Sequence, residues 1–177
     1  FTGKNSKKYY QKTITELKDQ WQKQAEKTTS ENYISLNRPA KFASNYFLPT
    51  EIKKGQILAL KQTKSETPGF VLVNEDKSEQ KLFKIAYQEQ PWFSYGNGIL
   101  AWDEIRFDPR YKQRSYSVIC TYNFATKEKK QLTFRTRLFS PAISADGKKI
   151  VAVQIDLSNQ SNLVSVNPQS GEITETI

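Results

Sequence analysis

Twelve consecutive residues, Asp103 to Arg114, hold three carboxylates (Asp103, Glu104, Asp108), three arginines (Arg106, Arg110, Arg114) and two aromatic rings (Phe107, Tyr111). An arginine fork can grip a carboxylate with two parallel hydrogen bonds, and a Tyr or Phe face can stack on a partner. Asp103, Arg106, Asp108, Arg110, Tyr111 and Arg114 are therefore the candidate binding residues. A salt-bridge network that stiffens a long loop would use the same residue types, and the two readings stand level at this point. A third reading pairs two of the carboxylates for glycoside hydrolysis; nothing else in the chain supports it.

Most other chemistries lack their residues. The chain has no histidine, so it can form neither a Ser-His-Asp triad, a Cys-His dyad nor a histidine-bearing zinc site. Cys120 is the only cysteine; without a histidine base it reads as a small buried apolar residue. Gly96-Asn97-Gly98 is turn chemistry and lacks the Lys-Ser/Thr of a phosphate loop. No catalytic set, cofactor or metal is expected of these residues. The net charge of +9 is spread over scattered lysines such as Lys53-Lys54 and Lys148-Lys149. That pattern reads as a solvated surface, and no nucleic-acid partner is expected. No apolar run approaches the ~20 residues of a membrane helix, so no membrane insertion is expected.

The elements that must position these groups follow from hydrophobic period. Tyr10, Ile14, Leu17, Trp21 and Ala25 recur at helical spacing, which predicts one amphipathic helix over Lys7 to about Lys27, with Asn5 or Ser6 as its cap. Residues 1–29 are assigned to that helix, which must bury its stripe on the following domain or on an absent one. Residues 30–39 read as a polar linker closed by Pro39. From about Ala40 the period becomes that of strands, and three units line up. The first has strands at Ala43–Leu48, Gln56–Gln62, Gly69–Asn74 and Gln80–Ile85. The second has Trp92–Tyr95, Gly98–Ile105, Ser115–Phe124 and Lys130–Phe134, with an insertion over Arg106 to Arg114. The third has Ala142–Ser144, Lys149–Ile155, Asn162–Asn167 and Glu172–Ile177. The second strands centre on Ile57, Ile99 and Ile150, which lie 42 and 51 residues apart. A period of ~40–50 residues is that of four-stranded propeller blades. The expected fold is therefore mainly β: a partial β-propeller of about three four-stranded antiparallel blades (about 40–88, 89–136 and 137–177), preceded by one amphipathic α-helix.

The third unit carries a compact turn motif: Ser140-Pro141, Ser144 and Asp146-Gly147-Lys148, leading into Ile150. Asp-Gly supplies a tight turn with positive φ, and the serine hydroxyls can bond nearby backbone. Ser144, Asp146 and Gly147 are accordingly read as structural. The stretch "SPAISADGKKIVAV" resembles the TolB-like (WD40-like) propeller repeat, and "TYNFATKEKKQLT" (Thr121 to Thr133) resembles that repeat's third strand, turn and fourth strand. In the first unit Pro49 to Gly55 replaces the motif. The resemblance implies a propeller fold and says little about activity.

A second resemblance lies at the amino end. "FTGKNSKKYYQKTITELKDQWQKQ" looks like the last helix of bacterial gluzincin-type metallopeptidase domains that precede such a propeller, and "DPRYKQRSYSVI" (Asp108 to Ile119) looks like the matching blade. This implies an exported protein, periplasmic or associated with the cell envelope, whose zinc-binding His-Glu-x-x-His helix would lie upstream. The chain lacks methionine and is expected to be a piece of a longer protein. Three blades are too few to close a ring, so an open fragment is expected either to continue into further blades or to self-associate. The function expected is non-catalytic binding of a protein or peptide. The alternative is a substrate-positioning part of an exported zinc peptidase.

Overall fold

The computed structural model describes residues 3–28, 35, 36, 38, 43–111 and 113–177. The chain divides into two compact units, Phe1–Ser35 and Leu36–Ile177. The linker read at 30–39 lies mostly outside the described residues.

The first unit contains α1, Gly3–Thr28. It begins earlier than the sequence suggested, so Asn5 and Ser6 fall in its first turn instead of capping it. Thr13 and Thr15 turn their hydroxyls back to the carbonyls of Tyr9 and Gln11, each at 3.0 Å, as mid-helix threonines do. Tyr10, Ile14, Leu17 and Trp21 are exposed along it.

The second unit consists of twelve strands in three antiparallel sheets, each four-stranded and in sequence order. Blade one holds β1 (Ser44–Lys53), β2 (Gln56–Thr63), β3 (Gly69–Asn74) and β4 (Glu79–Lys84). Blade two holds β5 (Phe93–Gly96), β6 (Ile99–Phe107), β7 (Ser115–Asn123) and β8 (Glu128–Gln131). Blade three holds β9 (Leu138–Ile143), β10 (Ile150–Ile155), β11 (Ser161–Val166) and β12 (Ile173–Thr176). The turn chemistry is local. Gly55, Asn97-Gly98 and Gly147 all take positive φ where the first strand of each blade folds back into the second.

Alternation along the middle strands explains how the blades stack, since successive side chains point to opposite faces. Leu100, Trp102, Val118 and Cys120 pack toward blade one, against Leu58, Leu60, Phe70, Leu72 and Ile85. The residues between them, Ala101 and Ile119, pack toward blade three, against Leu138, Ile150, Ala152, Val164 and Val166. Fully burying side chains of this size contributes about 1.5–3 kcal/mol each. Phe70 anchors the first interface, with ring centroids 5.2 Å from Phe93 and 5.4 Å from Trp102, both edge-on.

Several strand boundaries differ from expectation. β1 does not stop at Leu48. Its register shifts between Phe47 and Thr50, and Leu48 takes φ 50° just before Pro49, so the strand bulges and continues. Ser140-Pro141 in β9 does the same, with Ser140 at φ 49° and a register shift opposite Ala152. Leu48-Pro49 is therefore the first unit's counterpart of Ser140-Pro141, which the sequence motif concealed. In blade two, β6 runs on to Phe107, so Arg106 belongs to a strand and the connecting loop is only residues 108–114. β8 ends at Gln131 rather than Phe134, which leaves Phe134 and Arg135 in a turn.

Candidate functional site

The β6–β7 hairpin carries most of the residues singled out above, and strand geometry sorts them. Asp103 and Glu104 are adjacent in β6, so their side chains leave opposite faces of the sheet. They cannot act as a facing carboxylate pair.

Glu104 points toward blade one and is fully buried. Its carboxylate accepts the Trp102 indole N–H at 3.0 Å, lies 3.5 Å from Lys129 Nζ and is ion-paired with the Arg106 guanidinium. Lys129 also sits 5.2 Å from the Phe83 ring centroid and 5.4 Å from that of Trp102, and it donates to the Lys84 carbonyl at 3.1 Å. Glu104, which the sequence offered only as one of the carboxylates for glycoside hydrolysis, thus holds Arg106 and Lys129 at the seam between blades one and two.

Asp103 points the other way, toward blade three, and only 3% of it is exposed. Desolvation pushes its carboxyl up to about 6, opposed by the nearby Ser140 backbone N–H. One carboxylate oxygen, Oδ1, has no hydrogen-bond partner among the described residues. The Trp92 indole donates to the Pro141 carbonyl at 3.1 Å and the Ile143 N–H to Ser94 Oγ at 3.0 Å, so the Ser140-Pro141 bulge is tied to blade two.

Asp108 shapes the loop. Its Oδ1 accepts the N–H groups of Arg110 (2.8 Å) and Tyr111 (3.3 Å), and its Oδ2 accepts the Tyr116 hydroxyl (3.2 Å). The Arg110 N–H is the chief cause holding its carboxyl below the usual range, with burial opposing. The loop closes through Asp108 N–H to the Arg114 carbonyl and Arg114 N–H to the Tyr111 carbonyl, both 2.8 Å. The Arg114 guanidinium lies 5.2 Å from the Tyr116 ring centroid.

Two adjoining cavities open at this end of blade two. Arg110, Tyr111 and Arg114 line the first, of about 290 Å³. Arg106, Phe107, Gln131, Phe134 and Val118 line the second, of about 350 Å³. Asp108, Pro109, Tyr116 and Arg135 belong to both. One arm is thus rich in arginine and the other in apolar and aromatic surface, with Arg135 between them. Neither the Arg110 nor the Arg135 side chain has an ion-pair partner among the described residues. Of the sequence candidates, Arg106, Asp108, Arg110, Tyr111 and Arg114 come together here, while Asp103 faces a blade interface instead. Phe134 was missed because it reads as the end of a strand, and Arg135 because it falls just past that strand, where no element was read. The only hint was the cluster Phe134-Arg135-Thr136-Arg137, of which Arg137 turns away to bond the Asp156 carbonyl at 2.9 Å.

The turn motif of blade three is a separate structure. Ser144 Oγ donates to Asp146 Oδ1 at 2.6 Å, and the Lys148 N–H donates to the same oxygen at 3.0 Å. The Lys149 N–H donates to Ser144 Oγ at 3.1 Å, and the Gly147 N–H to the Ser144 carbonyl at 2.9 Å. The Ser144 hydroxyl, followed by the Lys148 N–H, holds the Asp146 carboxyl below its ordinary range. These groups satisfy one another.

Sheets ordered by sequence and stacked face to face define a β-propeller domain. Comparison with known proteins specifies the kind. The sequence matches no protein-family model and no curated protein. Among solved structures, the chain is similar to a puromycin-hydrolysing peptidase from Mycobacterium tuberculosis (TM-score 0.54, 15% identity, covering 75% of this chain and 20% of that one). It is also similar to a putative TolB from Agrobacterium tumefaciens (TM-score 0.52, 14% identity, covering 68% of this chain and 42% of that one). The fold is the TolB-like β-propeller fold. The chain spans well under two thirds of the length of either structure. No helix among the described residues is long and apolar enough to cross a membrane.

Proposed function

We propose that this chain is a non-catalytic propeller module that binds a protein or peptide at the β6–β7 end of blade two, in the bacterial cell envelope. The observation that carries this reading is the pair of cavities lined by Arg110, Arg114 and Arg135 with one carboxylate, Asp108, beside Arg106, which is paired with the buried Glu104. Loops held by a rigid scaffold are the usual carriers of binding function. The resemblance of the repeat to TolB-like proteins supports the exported, envelope location.

The test is site-specific photo-crosslinking in the full chain, with the reactive group at position 111 and a control at position 157, where Leu157 is exposed. A discrete protein adduct at 111, absent at 157 and lost in Arg110→Ala with Arg114→Ala, is the expected result. Equal adducts at both positions, or none at 111, refute the reading.

A second reading is favoured by the peptidase among the similar structures: the propeller positions substrate for a peptidase domain. It requires a catalytic domain in the same protein, and the reading frame upstream of Phe1 tests it. An upstream frame without His-Glu-x-x-His removes the zinc-peptidase version.

A further inference from the structure

We infer that the two-armed cleft of blade two takes a peptide segment in which a carboxylate lies close to a large apolar side chain. The inference rests on the reading of this end as a peptide or protein contact and adds the chemistry of the partner.

The arginine arm selects the charge. The site keeps a net positive charge: Asp108 is the one carboxylate among the residues that line the two cavities, set against Arg110, Arg114 and Arg135, and its oxygens accept two backbone N–H groups and a tyrosine hydroxyl instead of a guanidinium. Arg106 is engaged from behind by Glu104, and Arg114 lies on the Tyr116 ring. Arg110 and Arg135 therefore remain as the open guanidinium groups. Each presents a planar fork that matches a carboxylate bidentately.

The apolar arm selects what accompanies that charge. Phe107 and Phe134 are 68% and 70% exposed, yet both line the second cavity beside Val118 and Pro109. Two water-exposed phenylalanines lining one concavity are an unfilled apolar contact. Arg135 lines both arms, so a carboxylate held by it brings the neighbouring side chain against Phe107 and Phe134. At about 290 and 350 Å³, the arms are at the small end of the ~300–1,000 Å³ of ligand sites. They suit one or two side chains each.

An extended polyanion fits less well. Single-stranded nucleic acid is bound by a groove that tracks its backbone with bases stacked at intervals, whereas these arginines converge on one spot.

The experiment uses fluorescence anisotropy of the full chain with short labelled peptides. Each carries one Asp with a Phe one, two or three residues away, and matched peptides carry Asn for Asp or Ala for Phe. At least one spacing should bind. Asn for Asp, and Arg135→Ala in the protein, should each weaken it about tenfold, the effect of losing a charge-assisted hydrogen bond. Arg135→Lys should recover part of the loss, and Leu157→Ala should change nothing. Thermal melts establish that the variants fold, and Arg110→Gln serves as a second variant should Arg135→Ala unfold. The inference is overturned if no Asp–Phe peptide binds, if Asn peptides bind equally, or if the arginine variants bind like wild type. It also falls if inorganic phosphate or anionic lipid vesicles bind at the arginines while the peptides do not. A Tyr111-site adduct that persists alongside any of these results leaves the contact reading standing and removes only the carboxylate chemistry. Loss of both removes both.

Discussion

Arg106→Ala should destabilise the fold by about 2–3 kcal/mol, while Arg110→Ala, in the same cleft, should stay within about 0.5 kcal/mol of wild type. The difference comes from Glu104. Its carboxylate is fully buried and depends on three donors: the Trp102 indole, Lys129 and Arg106. Removing one partner of a buried ion pair costs about 3–5 kcal/mol because the remaining charge is left uncompensated. Here the Arg106 side chain is 43% exposed, so water reaches the vacated position, and Lys129 at 3.5 Å still supplies charge. Both effects lower the expected cost. Glu104→Gln keeps an acceptor for the indole but loses the charge and turns an amide N–H₂ toward donors, which should cost about 2 kcal/mol. Arg110 has no ion-pair partner to strand. The assay is chemical unfolding of the full chain at neutral pH, comparing midpoints at equal slope. High salt should leave most of the Arg106 effect in place, because the carboxylate it serves is shielded from solvent. If Arg106→Ala and Arg110→Ala shift the midpoint equally, or if Glu104→Gln is neutral, the seam between blades one and two does not depend on this charge cluster.

Asp103, pushed up to about 6 in the folded state from an ordinary 3.8, favours the fold when protonated. Its contribution is fully present below about pH 3.8 and is lost as pH rises through about 6, a change of about 3 kcal/mol, and Asp103→Asn should flatten that step in a pH series of unfolding midpoints. Burial, with the nearby Glu104 charge, pushes the Cys120 thiol up to about 12, so iodoacetamide at pH 8 should leave the folded chain unmodified and label it fully once unfolded; labelling of the folded chain refutes the buried placement. A Cβ on Gly96 would run into the Ser144 carbonyl oxygen of blade three, whereas one on Gly98 would meet nothing within 4 Å. Gly96→Ala should therefore cost about 1–3 kcal/mol through the inter-blade contact. Gly98→Ala, at φ +74°, should cost about 1–2 kcal/mol through backbone conformation alone, with near-UV signals of blade packing unchanged.

The two bulges show where local reading stops. Ser140-Pro141 stood inside a recognisable motif, but its likeness to Leu48-Pro49 lies in backbone geometry, a left-handed residue before a proline opposite the middle of the second strand. No shared side chain except the proline announces it. The helix start moved for a similar reason: Asn5 and Ser6 are good caps by type, but helix ends are set by small differences among neighbouring positions.

The arrangement of three successive four-stranded units was legible in the chain because it depends on neighbours in sequence: alternating Ile, Val and Ala in β10, the β3 boundaries at Gly69 and Asn74, and turns at Asn97-Gly98 and Asp146-Gly147. Residue types likewise marked Arg110, Tyr111 and Arg114 as a group. Tertiary structure alone decided which face of each strand meets which blade, and so sent Glu104 to one seam and Asp103 to the other. It also brought Phe134 and Arg135 from beyond β8 to the β6–β7 loop. Side-chain pairing across blades depends on stacking of surfaces far apart in sequence, and a one-residue change of register exchanges the two faces.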